Sequence, residues 1–171
     1  MRFTSCLVGL CLVATAALAQ QGPPPPGPEV KRLGVFEGKW TGEAEMKPSA
    51  FGPGGKMSSM DDCSWADGGY QLVCKGSSTG AMGKMSGTNV MGYNADEKAY
   101  KFMGYDSMGM MTTATGKLND KTWTWTGTDK MGGKTVHSRY TIVETSPTSY
   151  TFKWETSEDG KTYATIAEGK S

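Results

Sequence analysis

The sequence predicts an all-β domain, a closed antiparallel up-and-down barrel of about ten strands with one short helix before the first strand. Three observations carry this. From Gly38 onward, short runs rich in Thr, Tyr, Trp and Val alternate apolar and polar residues, and a period of two with one apolar face means antiparallel strands with one wet side. Turn signals separate the runs: Pro53-Gly54-Gly55, Gly68-Gly69, Asn94-Ala95-Asp96, Asn119-Asp120, Gly132-Gly133, Ser146-Pro147 and Asp159-Gly160. The loops are short, so sequence neighbours pair. An even strand count lets the first and last strands meet antiparallel and abolish the edges. A two-sheet sandwich is the alternative arrangement of the same strands.

Residues 1–19 read as a cleaved secretory signal. Arg2 is the charged start, Cys6 to Ala14 is an apolar run too short to span a bilayer, and Ala17-Leu18-Ala19 is a small-x-small cleavage site. A lipoprotein reading fails because Cys11 follows Leu10 and Cys6 comes too early. The expected compartment is periplasmic or extracellular. No later stretch has the length and apolarity of a membrane helix.

Residues 20–28 (QQGPPPPGP) form a Pro/Gly linker, and residues 29–171 make one domain with one core. Residues 29–36 suit a short helix with Val30, Leu33 and Phe36 on one side. Strands are expected near 39–47, 57–66, 70–78, 84–93, 98–105, 110–117, 121–127, 134–145, 149–156 and 161–168. Alternation is clearest in Thr122-Trp123-Thr124-Trp125-Thr126 and in Tyr150-Thr151-Phe152-Lys153-Trp154-Glu155. It also sets Val136, Ser138, Tyr140 and Ile142 against His137, Arg139, Thr141 and Val143. Glycines inside strands (Gly42, Gly87, Gly92, Gly104, Gly116) help a sheet to coil tightly.

Charge narrows the partners. The 18 basic residues less Arg2 leave 17, against 17 acidic. A near-neutral mature chain argues against nucleic acid, which selects a basic stripe, and against charge-driven adhesion to anionic membranes.

Cys6 and Cys11 leave with the signal; Cys63 and Cys74 remain, an even pair in an oxidising compartment. They flank Gly68-Gly69. A two-residue turn there pairs Trp65 with Leu72, Ser64 with Val73 and Cys63 with Cys74 on one face. Antiparallel partners lie roughly 4.5–5.5 Å apart at Cα, within the span a disulfide needs, so a cross-strand bridge follows.

The residues that could carry chemistry are few. His137 is the only histidine and shares the polar face with Arg139; as a haem or metal ligand it would have to point inward, which requires the opposite face assignment. One histidine makes no histidine-rich zinc site, and no Gly-x-Ser-x-Gly elbow supports a hydrolase triad. Arg139 could hold a ligand carboxylate, cover Trp40 at the closed end, or face solvent. Asp61-Asp62, Asp96-Glu97 and Glu158-Asp159 fall at or near turns, and Glu43 and Glu45 share one face of the first strand. No constellation argues for an enzyme.

Methionine is abundant, with 12 in the chain. The favoured reading is adaptable core filler replacing scarce leucine. The alternative is a soft-metal site for Cu(I), with Met82, Met85, Met108, Met110 and Met111 as candidate ligands.

The segment Gly38-Lys39-Trp40-Thr41-Gly42 resembles the opening of lipocalin-like (calycin) barrels, a resemblance that implies a lipocalin- or fatty-acid-binding-protein-like barrel. The ordered set Leu33…Gly38-x-Trp40-x-Gly42, Gly68-Gly69-Tyr70-x-Leu72, Met91-Gly92-Tyr93-Asn94…Lys98-x-Tyr100 and Gly133-Lys134 before Arg139 is similar to one bacterial group, the domain-of-unknown-function 1579 family. That resemblance covers residue 33 to about 168. It implies a roughly ten-stranded barrel and supplies no activity. Nitrobindin-like haem barrels begin with a similar Gly-x-Trp-x-Gly, and those need an axial histidine.

The expected function is non-enzymatic binding of a small apolar or amphipathic ligand inside the barrel, without a cofactor. Candidate contacts are Trp65, Tyr93, Phe102, Trp125, Arg139, Tyr140 and Trp154. The aromatics either fill the interior or line a cavity. The alternatives are Cu(I) or haem binding, and a ligand-free interaction domain. The sequence sets no oligomeric state.

Overall fold

A computed structural model describes residues 24–131 and 133–171. The signal sequence and the start of the linker lie outside the described residues. A five-residue helix α1 (Pro28–Arg32) runs into a 3-10 turn (Leu33–Phe36). Ten strands follow: β1 (Gly38–Met46), β2 (Gly55–Trp65), β3 (Leu72–Gly80), β4 (Gly83–Asn94), β5 (Ala99–Asp106), β6 (Met111–Asn119), β7 (Thr122–Met131), β8 (Lys134–Ser146), β9 (Ser149–Ser157) and β10 (Ala164–Lys170). Each pairs antiparallel with its sequence neighbour, and β1 pairs with β10 to close the barrel. The seam runs from Glu43↔Lys170 to Met46↔Ala167. Closure excludes the sandwich.

Departures from the expected boundaries have local causes. The third strand begins at Leu72 because Gly68 and Gly69 both have positive φ and spread the turn over Ala66–Gln71, closed by Ala66 N–H to the Gln71 carbonyl at 2.9 Å. The tenth begins at Ala164 rather than residue 161. The Asp159 carboxylate accepts the backbone N–H groups of Lys161 and Thr162, both at 2.8 Å, and holds that loop out of the ladder.

The disulfide register is as expected: Cys63↔Cys74, Ser64↔Val73, Trp65↔Leu72. The bridge joins Cα atoms 4.0 Å apart, and both cysteines are buried in the core.

The helix stoppers one end. Leu33 and Phe36 sit among Leu72, Tyr100, Trp123 and Ile142. Trp123 and Leu33 are fully buried; burying a leucine is worth roughly 1.5–3 kcal/mol. The rings meet tilted or edge-on, Phe36–Trp123 at 5.1 Å and Tyr100–Trp123 at 4.8 Å, the geometry their quadrupoles favour. Trp125 stacks parallel to Trp123, and a Cβ at Gly116 would lie 2.5 Å from the Trp125 ring. Only glycine lets that indole lie flat on β6.

Polar groups lock the stopper. Glu144 accepts from both Trp123 Nε1 (2.6 Å) and Arg32 (2.5 Å). The Arg32 guanidinium also lies over the Trp123 ring, 5.4 Å from its centroid. The closed-end tryptophan is therefore covered by Arg32. Trp40, for which Arg139 was the expected cover, packs instead on Tyr150 and donates to the Phe36 carbonyl at 3.0 Å.

Candidate functional site

Odd and even residues separate cleanly between wall and interior, so one inward residue fixes its strand. On β2, buried Cys63 puts Asp61 and Ser59 inside. On β3, Cys74 puts Gly76 and Ser78 inside. On β4, Met91 does the same for Asn89, Gly87 and Met85. These residues converge on a cavity of about 310 Å³ at the end away from the helix.

Its wall is mixed. Phe102, Met85 and Met110 supply apolar surface; Ser59, Asp61, Ser78 and Asn89 supply hydrogen-bonding groups. Glycines make the room. A Cβ at Gly76 would lie 2.3 Å from Asp61 Oδ1, and one at Gly104 would lie 2.5 Å from Asn89 Oδ1. The carboxylate and the amide therefore rest on the bare backbone of the next strand.

Asp61 is half-buried and has no ion-pair partner among the described residues. Burial pushes its carboxyl above the usual carboxylate range, because the low-dielectric wall disfavours the charge. Its charge reaches Tyr140 and Tyr150, whose hydroxyls burial already pushes up. Asp129 on β7 is likewise raised by burial. The Asp106 Oδ1 accepts the N–H groups of Met108 (2.8 Å) and Met110 (3.0 Å) and is committed to the turn.

The expected contact residues divide. Phe102 lines the cavity. Trp125 is buried in the core; Trp65, Tyr93 and Tyr140 pack against it. Trp154 meets Phe51 of the β1–β2 loop edge-on at 4.8 Å. Arg139 lies on the outer wall, donating to Glu155 at 2.8 Å and stacked 4.1 Å from the centroid of Tyr163. The pair holds Glu155 below the usual carboxylate range.

His137 also faces out, its Nδ1 3.1 Å from the Thr128 hydroxyl. It borders a broad outer groove of about 1020 Å³ walled by threonines of β6 and β7. The inversion that an interior haem would require does not occur. Among the described residues, no three His, Cys, Asp or Glu side chains cluster as a metal site. Glu43 and Glu45 are exposed on the outer wall.

Two expectations are corrected. Asp61 and Asp62 sit within β2 rather than at a turn, with Asp61 inward. The methionines are not core filler: Met91 belongs to the core, whereas Met60, Met82, Met103, Met108, Met110 and Met111 are exposed. The signal for Asp61 was present, because the disulfide register already fixes the inward face of β2; Asn89 is on β4, and its inward face follows from the pairing Cys74↔Asn89.

Fold and cavity together define a small up-and-down barrel, stoppered at one end and hollow toward the other. The family described as protein of unknown function (DUF1579) matches residues 25–170, and the chain belongs to that family. A search of curated proteins gives no match. None of the described helices is long and apolar enough to cross a membrane.

Proposed function

We propose that the protein is an exported, non-enzymatic barrel that binds a small amphipathic molecule in its open half. The observation that carries this is the cavity. About 310 Å³ lies at the lower end of the range for small-molecule sites, and its wall opposes an apolar side to a few convergent polar groups. Asp61 and Asn89 together favour a ligand with a hydrogen-bond-donating or cationic head, its apolar part against Phe102, Met85 and Met110. A purely apolar ligand would strand a half-buried carboxylate without a partner. Export is supported by the residue pattern of the first 19 positions and by a disulfide of the kind oxidising compartments maintain.

Native mass spectrometry of protein purified from its own host is the test. The expected result is a reproducible bound molecule bearing an amine or amide, released on denaturation and depleted in the Asp61→Asn variant. Protein that is empty in every preparation, and whose melting temperature ignores cationic amphiphiles, would overturn the reading.

A further inference from the structure

The spacing Met82-x-x-Met85 is half of a larger group. Met46 from the end of β1 and Met57 from the start of β2 line the same small pocket at the open rim as Met82 and Met85. Topology brings them together. Met57 pairs with Ala44, two residues before Met46, and the β3–β4 turn folds Met82 and Met85 over from the next hairpin. A Cβ at Gly80 would sit 3.5 Å from Met57 Cβ and Cγ, and one at Gly52 would sit 2.9 Å from Met82 Sδ. Gly52, with φ +141°, therefore leaves the space that the Met82 sulfur occupies.

The pocket holds about 40 Å³, more than the roughly 10–15 Å³ that a single water-sized body requires. Its chemistry suits water poorly. Ser78 is the one hydroxyl in the described lining, and the rest is methionine, Phe51, Pro53 and small residues. Ordered water wants two to four polar partners. No carboxylate or imidazole lines it, so a hard or borderline divalent ion finds no ligand. Cys63 and Cys74 are consumed by the disulfide, so the described chain offers no thiolate to compete.

We propose that Met46, Met57, Met82 and Met85 form a thioether site for a soft monovalent d¹⁰ cation, Cu(I) or Ag(I), at the barrel's open rim. Neutral, polarisable sulfur is the ligand such ions select, and two neighbouring hairpins supply it. The pocket shares Met85 and Ser78 with the larger cavity, but Met57 and Met82 line the rim pocket and not that cavity, so substituting those two tests the ion site apart from the amphipathic-ligand reading.

Silver(I) nitrate is the probe, since it needs no reductant that would open the disulfide. The full chain carries Cys6→Ser and Cys11→Ser to remove its other thiols and is titrated by calorimetry in chloride-free buffer. One ion per chain binds with micromolar or tighter affinity. The methyl resonances of Met46, Met57, Met82 and Met85 shift, while those of Met91 and Met103 stay. Met57→Leu and Met82→Leu each weaken binding by about tenfold or more and leave the melting temperature near its starting value, since Met and Leu are close in volume. Three results would overturn the site: no saturable binding, binding that survives the Met57→Leu/Met82→Leu pair, or binding lost on Met108→Leu/Met111→Leu or on His137→Gln.

Discussion

Opening the Cys63–Cys74 bridge tests how the barrel is held at its most buried covalent link. The bridge closes a loop of sequence separation 11. By the loop-closure relation, that constraint on the unfolded chain is worth about 3 kcal/mol. A domain of this size moves its melting temperature by about 2–4 °C per kcal/mol. Reduction should therefore lower the melting temperature by about 6–12 °C. Replacing both residues by alanine should cost more, because both sulfurs lie in the core. Each vacated site adds on the order of 1 kcal/mol for lost contacts and void. Urea unfolding of the oxidised, reduced and doubly substituted chains separates the two effects. The oxidised form has the highest midpoint and the alanine pair the lowest. Coincident oxidised and reduced midpoints would refute the chain-entropy reasoning. Two free thiols on alkylation of the unreduced protein would defeat the hairpin register as well.

Two further substitutions probe the two ends of the barrel. Burial raises the Asp61 carboxyl above its unfolded value. Its share of stability is fully present below the ordinary carboxylate range and is lost as pH rises through the raised pKa. Asp61→Asn should thus melt higher than the parent at pH 7 and converge with it toward pH 3. A gap that persists or widens in acid would contradict the sign. At the stoppered end, Glu144→Ala removes the acceptor of the fully buried Trp123 indole and the partner of Arg32. An orphaned buried donor costs about 1–3 kcal/mol, read in urea as an earlier transition and in tryptophan fluorescence as a red shift. Glu144→Gln keeps an oxygen for the indole and falls between. An alanine variant as stable as the parent would remove Glu144 from the lock.

The barrel and its disulfide were legible because they rest on local patterns. Alternation around Trp123 and Trp125 fixes a face, and two glycines between two cysteines fix a register. The methionines were misread for a related reason. Composition counts them, but only the hairpin geometry puts half-buried Met46, Met57 and Met85 beside exposed Met82 at the rim. Asp61-Asp62 reads as a pair at or near a turn, although the spacing of Asp61 from Cys63 already places it inward on β2. The stopper's lock was not legible, since nothing near Arg32 in sequence points to Glu144, 112 residues away.

The cavity's position follows from a gradient that each strand writes along its inward face. From the stoppered end to the open end, β7 reads Trp123, Trp125, Gly127, Asp129. In the same direction β5 reads Tyr100, Phe102, Gly104, Asp106, and β3 reads Leu72, Cys74, Gly76, Ser78. Running the other way in sequence, β4 gives Met91, Asn89, Gly87 and β8 gives Ile142, Tyr140, Ser138. Large rings and branched chains crowd one half; glycine, serine and short acids empty the other. A ten-stranded barrel is wider than the eight-stranded ones whose interiors side chains just fill. Its bulk therefore suffices for only one end, and the 3-10 turn after the helix adds Leu33 and Phe36 to complete that half. Had the bulky residues been spread evenly, the same composition would have left scattered voids, each destabilising in proportion to its volume. Segregating them gathers the missing volume at the open end, where Asp61 and Asn89 meet it.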